Sequence, residues 1–68
     1  MNTSHVVLMR HEAVELLLES ARLYRSISHK SALMDVLTYL AACHVERGAP
    51  DLAVPLYAEA MAVAEELV

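Results

Sequence analysis

The feature that most constrains this chain is a polar stripe. Between Val6 and Ile27, the residues Glu12, Glu15, Glu19, Arg22 and Ser26 recur at intervals of 3, 4, 3 and 4. That spacing stacks side chains along one face of an α-helix. A strand would need alternation with a period of two, and neither that pattern nor a hairpin dipeptide occurs in the sequence. The positions around the stripe are largely apolar: Val7, Met9, Ala13, Val14, Leu16, Leu17, Leu18, Ala21, Leu23, Tyr24 and Ile27. This arc is wider than one neighbouring helix can cover, so two contacts are expected. Acids fill the first half and Arg22, Arg25 and Lys30 the end, as the helix dipole favours. Thr3 or Ser4 is the expected N-cap.

The run Ser26-Ile27-Ser28-His29-Lys30-Ser31 breaks the pattern, because serine favours caps and turns over helix interiors. A second helix is expected over about residues 32–47. Only Asp35, Thr38 and His44 are clearly polar between Ala32 and Val45, and a helix apolar nearly all round belongs in the middle of a packing arrangement. Gly48 supplies the left-handed position that closes it, and Pro50 follows. The third helix is expected over about 51–67, with Asp51 as its cap or Pro50 in its first turn. Pro55 costs it one hydrogen bond near the start. Its alanines, Ala53, Ala58, Ala60, Ala62 and Ala64, keep it thin, and Leu56, Tyr57, Met61 and Val63 supply bulk. The expected fold is all-α: one small domain, residues 1–68, of three antiparallel helices at about 5–27, 32–47 and 51–67.

Composition now matters. Hydrophobic residues make up 57% of only 68 positions, and a chain of about 60 residues hides only ~60% of its unfolded surface when it folds alone. Apolar side chain should therefore be left over, and such surplus marks an interface. The same content argues against disorder. Cys43 is the sole cysteine, so no disulfide can form within one chain. The net charge of −4 disfavours nucleic-acid binding. The longest apolar run, Tyr39 to Cys43, is far short of the ~20 residues that span a bilayer. The first residues carry neither a basic n-region nor a cleavage site, so no secretory signal is expected. With one free cysteine, a cytoplasmic location is expected.

Met34 to Leu67 has the 34-residue length of a tetratricopeptide repeat. Within it, Leu37, Leu40-Ala41, Gly48, Ala53, Tyr57 and Ala60 resemble that family's pattern of large, small and aromatic positions on two helices and their turn. Two positions depart from it: His44 stands where an aromatic is usual, and Glu65 near the usual closing proline. The resemblance implies a helical hairpin in which Ala41, Ala53 and Ala60 allow close approach and Tyr57 fills the groove. Ala13, Leu17 and Ser20 repeat the spacing of Ala53, Tyr57 and Ala60 at an offset of 40 rather than 34 residues. The first helix then resembles the second half of a preceding repeat, giving about one and a half repeats. Proteins of this kind act as adaptors and chaperones, some as small subunits of secretion-chaperone complexes. The lysine, arginine and asparagine set with which some members clamp a peptide carboxylate is missing.

Chemical motifs are few. If the first two helices turn near His29, then His11, Glu15, Cys43 and His44 fall at one end of the hairpin. A metal would use such a set, but Glu15 belongs to the polar stripe and no His-Glu helical ligand motif occurs. The expected role of His44 is to fill a groove and bond a nearby carbonyl or carboxylate. The sharper alternative is a pH-sensitive contact, since imidazole titrates near neutrality. Cys43 and His44 are consecutive on a helix and do not face one another, so Cys43 is read as a small hydrophobe. With Gly48 as the sole glycine, no phosphate-binding loop can be built. No enzymatic activity, cofactor or metal is expected.

Charge is uneven. Residues 1–30 carry four bases and three acids, residues 31–68 one base and six acids. Solvated helix faces explain this, and so does a complementary head-to-tail or partner contact. The expected function is a protein–protein interaction module, a small adaptor or chaperone subunit that buries apolar helix faces against a protein partner or in a homodimer. The expected partner-binding residues are Val7, Val14, Leu18, Ala21, Leu56, Met61 and Val63. An inhibitor that masks a regulatory protein's interface would use the same surface, and a metal-binding bundle is the remaining alternative.

Overall fold

The computed structural model describes the backbone of residues 3–67 and the side chains of residues 12–67. It contains three helices: α1 (Thr3–Ser26), α2 (Lys30–Glu46) and α3 (Pro50–Leu67). No strand occurs among the described residues, so the all-α expectation holds. Each boundary lies within two residues of its expected place. The expected N-cap side chains Thr3 and Ser4, however, lie outside the described side chains.

Both turns are built the same way. At the end of α1, the Ser28 N–H donates to the Arg25 carbonyl at 3.3 Å, and the His29 N–H to the Tyr24 carbonyl at 3.0 Å. At the end of α2, the Gly48 N–H donates to Val45 at 3.0 Å, and the Ala49 N–H to His44 at 2.9 Å. This paired pattern is the Schellman motif, which satisfies the last carbonyls of a helix when one residue adopts a left-handed conformation. That residue is Gly48 at φ 78° in one turn and Ser28 at φ 58° in the other. The serine run therefore does more than interrupt α1: one serine takes a position that normally favours glycine.

His29 then starts α2. Its Nδ1 accepts a hydrogen bond from the Ala32 N–H at 3.3 Å, as a capping side chain does. Its ring meets Tyr24 edge-on, with centroids 5.6 Å apart. Of the two starts open for α3, the structure adopts the one with Pro50 as first residue and Asp51 in the first turn. There the missing proline N–H is harmless and the acid faces the positive end of the helix dipole.

The middle element is α2, which packs against both α1 and α3, while the backbones of α1 and α3 stay apart. The core comprises Val14 and Ala21 from α1, Leu33, Leu37, Leu40 and Ala41 from α2, and Ala53, Ala60 and Val63 from α3. Ala41, Ala53 and Ala60 are all buried. Tyr57 does not fill the groove as expected. It is 41% exposed, because it lies on the flank of α3 away from Glu59 and Glu66, whose carboxylates reach back to Arg25 and Lys30. The molecule is elongated, 44 × 22 × 15 Å. A 24-residue helix is about 36 Å long at ~1.5 Å per residue, so α1 outruns both neighbours.

Candidate protein-interaction surface

Four of the nine buried core residues are alanine, and only Leu37 and Leu40 are large side chains with virtually no exposure. Among the described residues, eleven large apolar side chains remain exposed, more than the core contains. The chain presents 4852 Å² to solvent, whereas a compact monomer of its 7.5 kDa mass exposes about 4250 Å². The difference of about 600 Å² belongs to the whole molecule, which is elongated and whose three helices, laid side by side around small residues, cover only one flank of each outer helix.

The exposed side chains fall into two groups. On α3, Val54, Tyr57 and Met61 repeat at intervals of 3 and 4, forming a stripe that flanks the buried face of Ala53, Ala60 and Val63. On α1, Leu16, Leu23 and Ile27 occupy one flank, all more than half exposed. Beside them an apolar groove of about 440 Å³ opens between α1 and α2. It is lined by Ala13, Leu16 and Leu17 from α1 and Tyr39, Ala42 and Cys43 from α2, with Glu46 as its one charged residue. Tyr39 is 65% exposed even though it belongs to the middle helix.

The expected partner-binding residues separate accordingly. Val14, Ala21 and Val63 sit in the chain's own core, because they lie on the faces that α1 and α3 turn toward α2. Leu56 is half-buried and packs against that core. Leu18 and Met61 are exposed, and the Val7 side chain lies outside the described residues. Leu16, Leu23, Ile27, Tyr39 and Val54 are exposed and were not in the expected set. The signal for the first three was the width of the apolar arc on α1, which exceeds what α2 covers.

His44 and Cys43 are half-buried and Glu15 is exposed. The His44 Nδ1 is buried and has no hydrogen-bond partner, so the carbonyl or carboxylate expected for it is not on that nitrogen. His11 lies outside the described side chains. Among the described residues, no group of three or more His, Cys, Asp or Glu comes together to hold a metal ion.

The uneven charge is used partly within the chain. Arg25 reaches Glu59 at 2.7 Å, and Lys30 reaches Glu66 at 3.1 Å, tying the end of α1 and the start of α2 to α3. Both pairs are solvent-exposed, and pairs of that kind contribute about 0.2–1 kcal/mol each. Arg22 pairs with Glu19 one turn away. Its hydrogen bond, then its charge, holds the Glu19 carboxyl below the ordinary range. No described helix is long and apolar enough to cross a membrane. No family model, curated protein or solved structure matches this chain.

Proposed function

We propose that this chain is a protein–protein interaction module, a small tetratricopeptide-like adaptor or chaperone subunit of the cytoplasm. It acts without catalysis, by covering its free helix faces with a protein partner or a second copy. The observation that carries this reading is the excess of exposed over buried large apolar side chains. Covering a large aliphatic side chain returns about 1.5–3 kcal/mol, so a few of these residues suffice for a stable contact after the costs of association. The repeat-like character rests on the burial of Ala41, Ala53 and Ala60 and on the left-handed Gly48 between the two helices.

The test compares the tagged full chain with Leu16→Asp and Val54→Asp variants, recovered from the cell of origin and identified by native mass. The expected result is a defined complex that one or both substitutions abolish while helix content is retained. A wild-type chain recovered alone, or a complex indifferent to both substitutions, overturns the reading. A recovered partner whose own activity falls on binding identifies the inhibitor form of the same function.

A further inference from the structure

The exposed flank of α1 has an internal order that α2 and α3 do not use. Ala13, Leu16, Ser20, Leu23 and Ile27 follow one another at intervals of 3, 4, 3 and 4, the spacing of a helix–helix seam. Val14 and Ala21 define the buried face, and these five run along its border toward solvent. Ala13 and Ser20 are half-buried, while Leu16 is 69% and Ile27 67% exposed. Small and large residues alternate from Ala13 to Leu23, and this alternation decides what fits. When the seam meets a copy of itself running the other way, with a two-fold axis level with position 18, Ala13 faces Leu23 and Leu16 faces Ser20. The symmetry repeats both pairs, so each of the four layers sets one large side chain on one small one.

We propose that α1 is the seam of an antiparallel, two-fold homodimer, in which each α1 covers the Leu16–Leu23 flank of the other. This rests on the reading of the exposed apolar faces as interaction surfaces and names the occupant of one of them. Three observations support a second copy of the chain. From Ala13 to Leu23 the seam is self-complementary in side-chain size, which an isologous interface requires. It is continuous with the apolar groove, since Ala13 and Leu16 belong to both, so the incoming helix also covers Tyr39 and Ala42. The residues the incoming helix covers, Leu16, Leu23, Ile27 and Tyr39, are each more than half exposed in the single chain. The acid nearest the axis, Glu19, is already paired with Arg22, which limits like-charge repulsion where the two copies of α1 cross.

The experiment is sedimentation equilibrium of the full chain at micromolar concentration, with circular dichroism on every variant. The wild type should show twice the 7.5 kDa chain mass. Leu16→Asp and Leu23→Asp should be monomeric, whereas Met61→Asp on α3 should remain dimeric. If the aspartates unfold the chain, Leu16→Ala serves instead. It alters the seam twice per dimer and should weaken association roughly 100-fold at ~1.5 kcal/mol per truncation. In a Cys43→Ser background under air oxidation, a mixture of Leu16→Cys and Ser20→Cys chains should form the mixed disulfide faster than either alone forms its own. A monomeric wild type overturns the dimer, as does a dimer indifferent to Leu16 and Leu23 but lost in Met61→Asp. A monomer that still recovers another protein through Leu16 or Val54 leaves the interaction function standing, and one that recovers nothing removes both.

Discussion

Ser28→Gly and Gly48→Ala form a matched pair of perturbations, because the two turns share one hydrogen-bond pattern and differ in the residue at the left-handed position. Holding a non-glycine residue there costs roughly 1–2 kcal/mol. Glycine avoids that cost but brings extra freedom to the unfolded chain, worth about 0.5–1 kcal/mol. Ser28 is exposed, so its replacement removes no buried contact, and Ser28→Gly should stabilise by about 0.5–1 kcal/mol. At Gly48, a Cβ would meet nothing within 4 Å. Gly48→Ala is therefore free of steric clash and should destabilise through the backbone alone, by about 1 kcal/mol. In a domain of this size 1 kcal/mol corresponds to ~4–8 °C in Tm. Thermal and urea unfolding followed by far-ultraviolet circular dichroism should move in opposite directions for the two variants. Both must be compared at one protein concentration, since self-association shifts Tm by mass action. If Ser28→Gly lowers Tm, or if Gly48→Ala leaves it unchanged, the left-handed turns are not what close these helices.

Leu37→Ala removes one of the two large side chains the core hides completely and should cost about 2.7–5 kcal/mol. That is a large fraction of what a chain of this length has, so urea unfolding should become shallow or begin in water. Met61→Ala, on the exposed face of α3, should stay within ~0.5 kcal/mol in a dilute sample. Glu19 should titrate below the ordinary carboxylate range by NMR, and Arg22→Gln should return it to that range. Its contribution to stability is present above the unfolded-state value and is lost as pH falls through the lowered folded-state value. Acid unfolding should therefore be less steep in Arg22→Gln over that window.

The local level of this fold was legible in the amino-acid order. The polar stripe of α1, the Gly48-Ala49-Pro50 break and the lack of any two-residue alternation each act within a few residues, and the helices stand where these signals put them. The serine run was readable as a break. Its construction was not, because the run alone does not say which of its residues enters the left-handed region, Ser28, or which accepts the Ala32 N–H as the cap of α2, His29. Only the tertiary structure decided which apolar residues serve the core. Val14 and Leu16 are both apolar and stand two positions apart, yet one is buried and the other 69% exposed. Helical periodicity places them on different flanks, but it cannot say which flank α2 occupies. The same holds for Val63 against Met61, and for Tyr57, which had a groove to fill only if another helix lay beside it. The physical reason is that an apolar arc wider than one neighbour leaves the choice of face open until packing makes it.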